Sequence, residues 1–216
     1  MTDDRALRQS MVDGQLRPFD VTDQTVLGAV LEIPRTDFVA PDSRALAYSD
    51  AALPVASQSA RRLLRPMVIG RMLQAADIQR GEKILDVASG SGYSAAVVAK
   101  MGAKVTALEN DPASVQMLRA QSGRYGFAMV EGAIDRAPAG LGPFDVIIIN
   151  GVAEIEPESL LAALADGGRL ITLFGKGPAS FIRVSRRSGS DIGHSRIANA
   201  AGPALKEFAR AAEFVF

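Results

Sequence analysis

Leu85–Ala96 reads LDVASGSGYSAA, and its two halves follow different patterns. The apolar run KILDVA, starting at Lys83, has the length of a strand and stops at serine and glycine. The run after it, YSAAVVAKM from Tyr93, is rich in small residues that suit a helix lying close on a sheet. Gly90 and Gly92 supply the tight turn between the two and let the backbone approach a ligand. The helix would present its amino end there, with unpaired N–H groups and a positive dipole end.

The same unit repeats downstream. KVTALE is a second strand, PASVQMLRAQ a second helix opened by Pro112, and FAMVEG a third strand. FDVIIIN is apolar enough to be buried on both faces, PESLLAALA is a helix, and GRLITLF is a fifth strand. This alternation predicts a parallel sheet with right-handed crossovers and helices on both faces. After Gly175 the helices stop, and SFIRVSRR and the terminal EFVF read as strands in an antiparallel addition. Upstream, Thr22 is the expected cap of a helix through Leu31. Pro34, Pro41 and Pro54 interrupt the stretch after that helix, and Pro66 opens another helix to about Ala76. The expected organisation is α/β: a helical N-terminal extension, residues 1–80, covering the active site of a doubly wound, mostly parallel Rossmann-like core, residues 81–216.

Composition narrows the chemistry. Lys+Arg and Asp+Glu are both 24, so no net field draws the chain to nucleic acid or an anionic membrane. The absence of cysteine removes disulfides, thiolate metal sites and cysteine nucleophiles. No metal site is expected, since the one histidine, His194, lies in the polar, loop-like context SDIGHSRI. No Gly-x-Ser-x-Gly elbow accompanies it, and Gly175-Lys176 lacks the rest of a phosphate loop. The N-terminus has no apolar signal stretch and no segment is long enough to span a bilayer, so a soluble, cytoplasmic protein is expected. Oligomeric state has no signature in the sequence.

Two ligand classes fit the glycine turn. GSGYSA satisfies the dinucleotide fingerprint, and Asp86-x-Ala88-x-Gly90-x-Gly92 matches the first motif of S-adenosylmethionine-dependent methyltransferases. Asp86 favours the second, because a carboxylate repels a pyrophosphate and attracts the cofactor's ammonium and sulfonium groups. Glu109 ends the second strand, where either class places a carboxylate that accepts hydrogen bonds from ribose hydroxyls. Glu131 and Gly132 end the third strand, where an acid could meet the adenine amino group.

Over most of its length the chain resembles the protein-L-isoaspartate O-methyltransferase family. MVDGQLRP is similar to the family's amino-terminal signature, and EIPRTDFVAPDSRALAYSDAALPV to its Pro-Arg-x-x-Phe-Val, Ala-Tyr-x-Asp and Leu-Pro segment. ILDVASGSGYSAAVVAKMGAKVTALENDP resembles its cofactor motif, and DGGRLITLFG its Gly-Gly-Arg-Leu strand. The resemblance implies a Rossmann-like methyltransferase fold, S-adenosylmethionine as cofactor, and protein or peptide substrates carrying isoaspartyl residues. It implies that Asp86, Ser89, Gly90 and Gly92 line the methionine end, that Glu109 holds the ribose with Asn110 beside the adenine, and that Glu131 and Gly132 reach the adenine edge.

Two departures stand out. The first motif has Ala88 where the family has glycine, which is tolerable if the backbone angles there are ordinary. Before Pro66, where the family reads Gln-Thr-Ile-Ser-Gln-Pro with its serine at the methyl-transfer centre, this chain reads Arg61-Arg62-Leu63-Leu64-Arg65-Pro66. Leu64 stands at the serine position. Guanidinium binds carboxylate through paired hydrogen bonds, so Arg62 and Arg65 are the expected substitutes for the lost hydroxyls. The alternative is a member that binds cofactor but has another acceptor or no isoaspartyl activity.

Overall fold

A computed structural model describes residues 4–211. Helices α1 (Asp4–Met11), α2 (Gln24–Glu32) and, after a two-stranded ribbon, α3 (Pro66–Ala76) precede the sheet. The ribbon pairs β1 (Leu53–Pro54) antiparallel with β2 (Arg62–Leu63). Then come β3 (Lys83–Val87), α4 (Tyr93–Lys100), β4 (Lys104–Glu109), α5 (Pro112–Tyr125), β5 (Ala128–Glu131), β6 (Phe144–Ala153), α6 (Glu158–Ala162), β7 (Leu164–Phe174), β8 (Phe181–Ser188) and β9 (Asp191–Asn199).

The seven-stranded sheet has the order β5-β4-β3-β6-β7-β8-β9. Its first five strands run parallel, and β8 and β9 add antiparallel beyond β7. Strand order reverses beside β3, and ligands of such sheets bind outside the carboxyl ends at that crevice. Along β6, Val146 and Ile148 point into the core cluster that holds α1–α4, while Ile147 and Ile149 point into the cluster on the other face with Leu160 and Phe208. That period of two explains why Val146 to Ile149 are apolar on both faces.

Three local expectations are corrected. The cap of α2 is Asp23, whose carboxylate accepts from the Thr25 and Val26 amides; the Thr22 amide is already committed to the Gln74 side chain. PESLLAALA is helical only over Glu158–Ala162, because Leu164 already pairs with Phe144 in the sheet. His194 lies on β9 rather than in a loop, with its Nδ1 2.9 Å from Ser185 Oγ. β9 is an outer strand whose residues are largely exposed, so it lacks the apolar alternation that marks a half-buried strand. EFVF lies outside the described residues.

Candidate functional site

The carboxyl ends of β3, β4 and β6 converge. Asp86, near the end of β3, is fully buried. It accepts hydrogen bonds from Ser89 Oγ, from Ser94 Oγ at 2.8 Å in the first turn of α4, and from Asn150 Nδ2 at 2.9 Å on β6. Burial pushes its carboxyl up to about 6, and these donors offset only part of that cost. Asn150 and Ser94 were not singled out from the sequence. A polar residue directly after the apolar run Val146 to Ile149 was the available signal for Asn150.

Glu109, ending β4, is also fully buried. Its Oε2 accepts from the Gly90 amide at 2.8 Å, and its Oε1 from the amides of Asn110 and Asp111 at 2.8 and 3.0 Å. The glycine turn is thus tied to the second strand through one carboxylate. Gly90 has a φ of 60°, and a Cβ there would lie 3.2 Å from Val55 Cγ1. Ala88 also takes a left-handed φ, 52°. The angles at the position of the family's glycine are therefore not ordinary, and alanine there costs about 1–2 kcal/mol.

The arginine stretch crosses this end of the sheet on β2. Arg61, which the sequence did not mark, is the one directed inward. Its Nε donates to Glu109 Oε1 at 2.9 Å, and its Nη2 to Asn110 Oδ1 at 2.6 Å and Glu207 Oε1 at 3.3 Å. Burial works against its charge, but Glu109 and Glu207 outweigh that and its pKa is raised. Asn110 Nδ2 also donates to Glu207 Oε1 at 3.0 Å. Glu207 belongs to a C-terminal strap whose Pro203 and Leu205 backbone groups bond to Val152. Nothing in LKEFAR signals that role.

The other two arginines are placed differently. Arg62 is exposed and donates to the Ala52 carbonyl through Nε at 3.2 Å and Nη2 at 2.8 Å. Arg65 is held by the Asp50 carboxylate through Nε and Nη2. Leu64 is buried, and its carbonyl accepts from Arg35 Nη2 at 2.6 Å. Arg62 and Leu64 share the wall of a cavity with Ser89, Gly90, Ser94 and Asn150. Glu131 points outward, 3.4 Å from Arg119 Nη2, while the Gly132 amide donates to the Glu109 carbonyl at 3.0 Å.

The residues present suit S-adenosylmethionine in charge and hydrogen bonding: two buried carboxylates flank a glycine turn and a helix amino end. Space is distributed unevenly. The cavity beside Asp86 is about 10 Å³, whereas the one on the Asn110 side, lined by Ala60, Asp111, Pro112 and Lys206, is about 190 Å³. The first has room for about one water molecule. Arg61 lines the second cavity and holds the Glu109 carboxylate at its edge.

Sheet order, glycine turn and strand-end carboxylates together define a Rossmann-like methyltransferase that depends on S-adenosylmethionine. Residues 8–199 match the family Protein-L-isoaspartate(D-aspartate) O-methyltransferase (PCMT). The protein-L-isoaspartate O-methyltransferase of Methylorubrum populi is 34% identical over 191 residues, covering 87% of this chain and 88% of that relative. That of Gloeobacter violaceus is 37% identical over 173 residues, covering 76% and 81%. A Plasmodium falciparum structure described as a putative protein-L-isoaspartate O-methyltransferase in complex with S-adenosyl-L-homocysteine superimposes with a TM-score of 0.78 at 20% identity, over 96% of this chain and 100% of that one. The chain belongs to the protein-L-isoaspartate(D-aspartate) O-methyltransferase family of enzymes. Among the described residues, no helix is long and apolar enough to cross a membrane.

Proposed function

We propose that this chain uses S-adenosylmethionine to esterify a carboxylate of isoaspartyl residues in aged cytoplasmic proteins, the first step of their repair. The observation that carries this is the pair of buried carboxylates, Asp86 and Glu109, on either side of Gly90. In this proposal Asp86, fixed by Ser89, Ser94 and Asn150, faces the cofactor's ammonium group. Glu109 accepts from the ribose hydroxyls, Gly90 and Gly92 shape the turn beneath it, and Asn110, Glu131 and Gly132 border the adenine.

When bound, S-adenosylmethionine supplies an electrophilic methyl carbon. The acceptor carboxylate has a pKa near ~4 and is ionised at neutral pH, so no protein base is needed. The chain's own task is to align that oxygen and exclude water. Leu64 and Leu63 provide an apolar wall. Arg62, at the mouth, and Arg65 beside it are proposed to hold the acceptor's charge.

A second reading has one observation in its favour: Leu64 places no hydroxyl where the family has serine. It keeps the cofactor and changes the acceptor. Labelled methyl transfer to an isoaspartyl peptide, with the normal aspartyl peptide as control and small acids in parallel, separates the two. Label in the isoaspartyl peptide alone supports the first reading, and label only elsewhere supports the second.

A further inference from the structure

Arg61 makes three side-chain hydrogen bonds, and all of them lie where a nucleoside would bind. It is the side-chain donor to Glu109 Oε1, beside the backbone amides of Asn110 and Asp111. Its Nη2 reaches Asn110 Oδ1, and Glu207 bonds both Arg61 and Asn110. A guanidinium here supplies what a ribose diol supplies, hydrogen-bond donors to a buried carboxylate, and it adds a positive charge that opposes a cationic cofactor.

The segment that carries Arg61 is built to move. Between Val55 and Arg61 lie Ala56, Ser57, Gln58, Ser59 and Ala60, none of them buried. Its fastenings include the Val55 amide to the Arg61 carbonyl at 3.3 Å and Ser59 Oγ to Ser114 Oγ at 2.7 Å. The β1–β2 ribbon that anchors it is two residue pairs long. At the outer end Glu207 is only partly buried. Few buried residues are the mark of a segment with a low opening cost.

We propose that Arg61 is an in-chain occupant of the ribose subsite, tied there by Glu207 of the C-terminal strap, and that the cofactor enters as Arg61 leaves. The proposal rests on the cofactor reading above. It has a consequence for order. Release of Arg61 removes one of two bonds to Glu207 Oε1 and leaves Asn110 Nδ2 holding it. The strap passes over the acceptor side, where a Cβ at Gly202 would lie 3.2 Å from Leu64 Cδ2. Cofactor occupancy thus weakens one tie of the strap before an acceptor binds. Apparent affinity is the intrinsic affinity reduced by the fraction of molecules that are unlatched.

The test titrates full-length wild type, Arg61→Met and Glu207→Gln with S-adenosylhomocysteine by calorimetry. In parallel, the Arg61 Nε–H resonance, assigned by its absence in Arg61→Met, is followed by NMR. We expect Arg61→Met to bind at least tenfold tighter than wild type and Glu207→Gln to fall between them. The Nε–H signal of wild type, protected when ligand-free, exchanges rapidly with solvent once ligand is bound. Equal or weaker binding by both variants, or a signal still protected at saturation, overturns the latch and leaves the cofactor reading standing. Binding by none of the three at millimolar ligand overturns the cofactor reading and the latch with it. Should Arg61→Met fail to fold, Arg61→Lys, which also lacks the guanidinium Nε–H, supplies the assignment, and Glu207→Gln and the wild-type resonance decide.

Discussion

Asp86→Asn should change the pH dependence of stability in a defined window. Asp86 is fully buried, and its carboxyl is pushed from the ordinary 3.8 up to about 6. The folded state therefore holds this proton more tightly than the unfolded chain, where an aspartate titrates near ~4. Its contribution to stability is fully present below about pH 4 and is lost as pH rises through about 6. From 3.8 to about 6, at about 1.4 kcal/mol per pH unit, the loss is roughly 3 kcal/mol. Glu82, Asp111 and Glu207 are shifted downward after their pairing outweighs burial, so they contribute in the opposite sense, at lower pH. They are present in both proteins and cancel in the difference. Asparagine does not ionise, and its amide faces Asn150 Nδ2, which adds an offset that does not depend on pH. Urea unfolding of both proteins from pH 4 to pH 7 isolates the effect. The variant should gain roughly 3 kcal/mol relative to wild type across that range. A difference that stays flat to within about 0.5 kcal/mol would show that Asp86 carries no raised pKa and that its buried charge is fully compensated.

The same geometry predicts other outcomes. Ala88→Gly relieves a left-handed alanine and should stabilise the protein by about 1 kcal/mol, less than the full steric cost because glycine also loosens the unfolded chain; thermal unfolding checks it. Leu64→Ser restores a hydroxyl at the wall shared with Ser94 and Asn150, and should raise turnover on an isoaspartyl peptide by about 10- to 100-fold in single-turnover methyl transfer. Arg62→Ala and Arg65→Ala should each raise the KM for an acidic peptide several-fold more than they lower kcat; unchanged kinetics in both would remove them from the acceptor site.

The parts legible in the sequence are those whose signals are local. Pro66–Ala76 is a helix between a proline and a left-handed Asp77, and Lys104–Glu109 is a strand within its expected bounds. Asp86, Gly90 and Glu109 meet because a strand, a turn and the next strand bring residues close in sequence to one sheet end. The remaining features depend on partners far along the chain. The β1–β2 ribbon is too short to show a period, and Arg61 acquires its position from Glu109 and from Glu207, 146 residues away. A cluster of arginines in a sequence does not say which one turns inward. That choice comes from the partners each one meets: Arg61, just before β2, reaches Glu109 and Glu207, and Arg62 is exposed.

The most direct measurement is transfer of labelled methyl from S-adenosylmethionine to an isoaspartyl peptide by the wild-type chain, with Glu109→Gln alongside. We expect label as a base-labile ester in the isoaspartyl peptide, none in its normal aspartyl counterpart, and a loss of at least about 100-fold in Glu109→Gln at subsaturating cofactor. Equal labelling of both peptides, or the same rate in the variant, would contradict the assignment of this strand-end carboxylate to the cofactor.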